Sequence, residues 1–239
     1  MIGGNMVLVG VLVLGMISSA AGMFPDDPWL TKVKGEMEYF QEDGDDVFEW
    51  DIDTWRGQDL RKFWFKTAGE YADSEVENAN IELVYSRAVT AFWDQQFGVR
   101  QDFDADPETN ARRWLSFGYI GTAPYFVDVD ARIFVGEQSS TQLFIELERE
   151  LMITQAWVLT PELDIVANGR TNERFSEGSG LAEIEFSLRL GYEHNGNRKF
   201  QPFIGVEAKT HFGATKRLIK SSGGSNSESF FTLGLHYWF

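Results

Sequence analysis

Acidic residues spaced two apart recur along this chain, at Glu36 and Glu38, Asp128 and Asp130, Glu146 and Glu148, and Glu183 and Glu185. On an extended strand residues i and i+2 point the same way, so each pair turns two carboxylates onto one face. That arrangement can hold a cation, and it is equally the ordinary lining of a wet strand face; both readings stand. Asp51 adds a carboxylate inside the run Glu49-Trp-Asp-Ile-Asp53. The three histidines are His194 in a predicted short turn, His211 where a strand enters a long loop, and His236 on the last strand. None pairs with another at i, i+2 or i, i+4, so each is either a lone ligand or a plain polar residue. A catalytic reading needs a nucleophile with its base or a positioned acid–base pair, and no Gly-x-Ser-x-Gly, His-Glu-x-x-His or phosphate-loop pattern is present. No residue is assigned to catalysis and the chain is read as a non-enzyme.

The elements that position these groups follow from a two-residue period. Val33, Met37 and Tyr39 oppose Lys34, Glu36 and Glu38, and Phe48, Trp50 and Ile52 oppose Glu49, Asp51 and Asp53. From Ala182 the residues Ile184, Phe186, Leu188, Leu190 and Tyr192 alternate with Glu183, Glu185, Ser187, Arg189 and Gly191, a spacing that would scatter apolar groups around a helix. Such segments predict about twelve strands, near 31–40, 46–55, 60–71, 76–87, 89–103, 112–122, 124–136, 141–151, 154–167, 181–193, 199–212 and 229–239. Connections around 85–89, 120–125 and 193–198 are short, and those at 102–112, 168–180 and 213–228 are longer and rich in Gly, Ser, Asn and charge. An even number of strands with short turns at one end and longer loops at the other is the pattern of a transmembrane antiparallel up-and-down β-barrel.

Solvent decides which face points where. With the apolar face outward, Asp94, Arg100, Arg132, Glu162, Asp164, Arg189, Glu207 and Lys209 join the paired carboxylates inside. A twelve-stranded barrel is too wide for side chains alone to fill, so a polar, watered lumen is required. The inverted arrangement, a soluble barrel with its oily face inward, is the alternative. The formal charge of −16 disfavours nucleic acid and anionic surfaces as partners and suits cations, though acidity also simply keeps proteins soluble.

The two ends of the chain bear on the compartment. Met6 to Ile17 is almost wholly apolar and is followed by Ser18-Ser-Ala-Ala-Gly22, which reads as an export leader over 1–22 with cleavage after Ala20, Ala21 or Gly22. Residues 23–30 are then a short N-terminal segment and 31–239 the barrel, in the outer membrane with both termini in the periplasm. The chain has no Cys, so neither a lipid-anchoring cysteine nor a disulfide framework is available. The last strand sets Phe231, Leu233, Leu235, Tyr237 and Phe239 against Thr232, Gly234 and His236, one oily face and one polar face.

Several motifs together resemble a known family. Asp59-Leu-Arg-Lys-Phe-Trp-Phe-Lys-Thr-Ala-Gly-Glu70, Gly121-Thr-Ala-Pro-Tyr125, Thr154-Gln-Ala-Trp-Val-Leu-Thr-Pro-Glu162, Phe200-Gln-Pro-Phe-Ile-Gly-Val-Glu207 and Phe212-Gly213 occur in the order seen in the copper-resistance outer-membrane proteins CopB and PcoB. The resemblance runs from about Trp55 to the C-terminus. It implies a barrel in outer-membrane lipid that helps Gram-negative cells tolerate copper by binding or passing copper ions, or one that docks a periplasmic copper oxidase or carrier without binding metal itself. Many members carry a Met- and His-rich segment before the barrel. Here residues from Met23 run almost directly into the first strand, and beyond residue 22 the methionines are Met23, Met37 and Met152. Thioethers favour Cu(I), whereas imidazole and carboxylate suit Cu(II), so any copper contact is expected to rest on the carboxylates and isolated histidines named above.

Overall fold

Alternating sequences need a sheet whose two faces meet different solvents, and closing that sheet removes its unpaired edges. The computed structural model describes residues 27–42, 44–104, 111–194 and 198–239. The strands are β1 (Leu30–Glu42), β2 (Asp45–Gln58), β3 (Arg61–Ala72), β4 (Glu75–Ala88), β5 (Trp93–Asp104), β6 (Arg112–Ala123), β7 (Val127–Gly136), β8 (Thr141–Glu148), β9 (Leu151–Met152), β10 (Trp157–Asn168), β11 (Gly180–Tyr192), β12 (Phe200–His211) and β13 (Ser227–Trp238). Each pairs antiparallel with its neighbour in sequence, except that β8 and β9 both pair with β10, and β1 pairs with β13 from Lys34↔Trp238 to Tyr39↔Leu233, which closes the barrel. The seam reaches the last residue, where Val33 and Phe239 exchange backbone hydrogen bonds of 2.9 and 2.8 Å. Because β9 is only a two-residue continuation of β8, the wall has the twelve strands that the periodicity predicts. The predicted leader and residues 23–26 lie outside the described residues.

The faces sort as expected. Phe65, Leu83, Val99, Leu115 and Val135 stand in register across β3 to β7, all on the outside and all exposed. One position along each strand, Lys66, Glu82, Arg100, Trp114 and Phe134 point inward. Such an exposed apolar band is stable only against lipid.

Boundaries differ from expectation in instructive places. Residues 89–92 and 153–156 are turns, not strand. Both carry the pattern Thr-x-x-Trp, in which the Thr90 hydroxyl accepts from the Phe92 amide at 3.2 Å and the Thr154 hydroxyl from the Ala156 and Trp157 amides at 3.2 and 3.1 Å. Residues 124–126 also turn, with Tyr125 and Phe126 at φ 68° and 58°, the left-handed pair that a tight hairpin demands. The predicted strand 141–151 breaks at Arg149-Glu150 opposite Pro161. The Arg149 amide donates to the Pro161 carbonyl at 3.1 Å, but Pro161 has no N–H to return the bond.

Connections at the end remote from the termini are not uniformly long. The predicted loop 102–112 lies largely outside the described residues; among the described residues the connections at 73–74 and 137–140 are tight, and 169–179 and 212–226 are long. The last of these, expected as loop, contains helix α1 (Gly213–Ser221). Within 169–179, Glu177 pairs with Arg112 of β6 at 2.8 Å, and Phe175 lies 3.9 Å beneath the same guanidinium. The loop therefore reaches past β7 and β8 and covers part of that mouth. Helix α1 fastens onto it through Thr215, whose hydroxyl accepts from the Gly178 amide at 2.9 Å and donates to the Gly178 carbonyl at 3.3 Å.

Candidate functional site

The lumen gathers the acidic pairs into rows, because antiparallel register sets inward residues of adjacent strands side by side. Asp128 and Asp130 of β7 face Glu148 and Glu146 of β8, which face Glu162 and Asp164 of β10, and Asp164 faces Glu185 of β11. On the other wall Glu36 lies between Asp51 of β2 and His236 of β13. Like charges placed opposite one another are destabilising unless cations are interleaved, and the lumen supplies those from its own basic residues.

Two basic nodes bridge strands that are not neighbours. Arg132 of β7 donates to Glu82 of β4 at 2.6 Å and lies 2.8 Å from Asp130, while Lys66 of β3 reaches Asp130 at 3.3 Å and Asp53 at 3.2 Å. The Ser116 hydroxyl donates to the other Glu82 oxygen at 2.5 Å. Arg189 of β11 forms the second node. Its guanidinium pairs with Glu36 and Glu162, and lies 3.5 Å from both Glu38 and Glu148. Lys209 meets Glu185 at 3.0 Å. The polar-strand pattern placed Arg132, Arg189 and Lys209 inside. It did not mark Lys66 or Glu82 as members of a site, although the parity of β3 and β4 carries that signal.

Between these nodes lie cavities. One of about 510 Å³ is bounded by Asp51, Lys66, Glu82, Asp128 and Glu146, and one of about 260 Å³ by Glu38, Glu49, Glu70, Glu185 and Glu207. A third, of about 20 Å³, lies beside Lys34, Glu148, Glu150 and His236. Arg189 and Glu36 line all three.

The histidines fall in three distinct settings. His211, at the end of β12, has Nδ1 3.2 Å from Glu183 Oε2. His236 faces the lumen beside Glu36, with its Nε2 buried and without a hydrogen-bond partner. His194 follows β11 and packs against the Tyr192 ring at 6.2 Å between centroids, away from the acidic rows. Among the described residues no three His, Asp or Glu side chains are placed to ligate one ion. The donors come as pairs around water-sized and larger spaces, a lining suited to transient contacts with a cation.

A closed twelve-strand barrel with a lipid-type exterior and a charged, cavity-bearing lumen has the fold of the outer-membrane porins. The solved NanC porin superposes with a TM-score of 0.58 at 11% identity, covering 86% of this chain and 98% of that one. A KdgM porin gives a TM-score of 0.52 at 11% identity, covering 87% and 99%. The family model described as copper resistance protein B precursor matches residues 31–239, and the chain belongs to that family. Copper resistance protein B of Escherichia coli is 31% identical over 204 residues, covering 85% of this chain and 67% of the relative. A copper resistance protein B homolog of Pseudomonas syringae pv. tomato is 29% identical over 208 residues, covering 87% and 69%.

Proposed function

We propose that this barrel contributes to copper tolerance by binding or passing copper ions through its acidic lumen, with both termini in the periplasm. The observation that carries the reading is the placement of two imidazoles on the lumen side, each beside a carboxylate: His211 with Glu183, and His236 with Glu36. Nitrogen with carboxylate oxygen is a donor pair suited to Cu(II), and neither pair is a closed cage that would trap the ion. Between them the carboxylates of β8, β10 and β11 provide successive weak contacts, and conduction needs binding that is favourable yet easily left. No residue is given a catalytic role, and copper is cargo rather than a resident cofactor.

The test is complementation of a deletion strain on copper. His211→Ala combined with His236→Ala is expected to lose most of the copper tolerance while the barrel still migrates as a heat-modifiable outer-membrane protein. Full tolerance in that variant sinks the reading. A second reading, docking of a periplasmic copper oxidase or carrier, is favoured by the turn-tip aromatics Phe92, Tyr125 and Phe126, exposed by 70%, 80% and 82% at the end that carries the termini. Copper titration of the refolded barrel separates the two, since docking alone requires no saturable copper binding above a zinc and calcium control.

A further inference from the structure

One basic side chain borders each of the three cavities of the lumen. Arg189 projects from β11 and joins Glu36 and Glu38 of β1 to Glu148 of β8 and Glu162 of β10. With Glu36 it borders all three cavities: the space of about 20 Å³ lies toward the end that carries the termini, that of about 260 Å³ toward the other, and that of about 510 Å³ runs alongside from Asp128 to Gln142. We infer that Arg189 is the selectivity-determining residue of the lumen: a tethered cation where the cavities meet, with which a passing divalent cation competes for the same carboxylates. This rests on the proposed passage of cations through the lumen and names the residue that limits it.

The charge balance supports exchange. Four carboxylates surround one guanidinium, and the nearest other cation, the Lys34 ammonium, stands 4.0 Å from Glu148. The node therefore has negative charge to spare, and an incoming divalent ion satisfies more of it than a monovalent guanidinium does. The cavities of about 510 and 260 Å³ that Arg189 borders give a displaced head group space. The Arg189 stem packs over Gly205, its cross-strand neighbour on β12, where a Cβ would lie 3.2 Å from Arg189 Cγ and 2.6 Å from the Thr232 hydroxyl, so movement is confined to the head group. The Phe203 ring, 5.8 Å from the guanidinium carbon, offers a face on which the cation can rest. An anion meets the reverse: it gains one guanidinium and faces four carboxylates.

The experiment is conductance of the refolded full chain in planar lipid bilayers with KCl, which requires no copper. Arg189→Gln is expected to raise conductance severalfold and to strengthen the preference for K⁺ over Cl⁻, read as the reversal potential in a salt gradient. Arg189→Lys, which keeps the charge but loses the fork that spans two walls, is expected to fall between. Should Arg189→Gln fail to refold because its carboxylates are left unbalanced, Arg189→Gln with Glu162→Gln removes one charge of each sign and is expected to open the lumen as well. Wild-type conductance and ion preference in whichever of these variants refolds overturns the inference. Copper tolerance is scored separately: a variant that conducts K⁺ freely yet leaves tolerance unchanged keeps the gate and removes the copper reading.

Discussion

Glu82 shows what an inward charge costs and how the barrel meets that cost. It is 2% exposed, takes a 2.6 Å bond from Arg132 and a 2.5 Å bond from Ser116, and sits where Gly98 leaves room, a Cβ there falling 2.8 Å from its carboxylate. Breaking a buried pair leaves an uncompensated charge, which is more damaging than the pair is stabilising. Glu82→Gln leaves Arg132 with Asp130 alone, so a loss of about 2 kcal/mol is expected, read as a lower urea midpoint for the refolded barrel. The pair of Glu193 and Arg198 at 3.2 Å is lopsided, with Glu193 buried and Arg198 half exposed. Arg198→Gln takes the cation from a buried carboxylate and is expected to lower the midpoint, by less than Glu82→Gln because water reaches the Arg198 side of the pair. Register explains why the sequence reveals so little of this. Glu82 and Arg132 are fifty positions apart, and strand parity places both inside without saying that they meet across three strand interfaces.

At the scale of elements, the loop 169–179 and helix α1 behave as one strap because Gly178 lets them touch. A Cβ on Gly178 would lie 2.0 Å from the Thr215 amide nitrogen, so the contact exists only for glycine. Gly178→Ala is expected to release the strap, with faster trypsin cleavage at Arg170, Arg174, Lys216 and Lys220 and an unchanged heat-modifiable barrel band. Cleavage at the wild-type rate would show that the two segments do not depend on each other. The strands were legible from their two-residue period because lipid and water impose opposite demands on alternate residues. Helix α1 was not, since Gly213-Ala-Thr-Lys-Arg-Leu-Ile-Lys220 is a short, mostly polar run whose helical form depends on docking to the neighbouring loop. The turn at 153–156 was hidden by the same apolar residues that marked the adjoining strand; its cue was Thr154, three residues ahead of Trp157. The site was legible as a face and not as a set of partners, so His211 beside Glu183 and Arg189 among its carboxylates emerged only from the closed wall.

For the molecule as a whole, the inside carries more carboxylates than ammonium and guanidinium groups, in keeping with the formal charge of −16. Fields from such a lining draw cations in, and salt screens them over about 8 to 10 Å at ordinary ionic strength. Copper tolerance conferred by the barrel is therefore expected to weaken as NaCl is added to the medium, more steeply than that conferred by a cytoplasmic copper exporter assayed in parallel. Equal salt dependence for the two would argue against the lumen as the point of action. The basic side chains spaced among the carboxylates carry a further consequence. Fixed acids that outnumber their built-in counterions make the barrel wall a molecular ion-exchange resin, in which one divalent ion replaces two monovalent ones. By mass action the divalent share of such a resin grows on dilution, so under the proposed passage of copper the lumen loads divalent ions most fully in fresh water and releases them to brine.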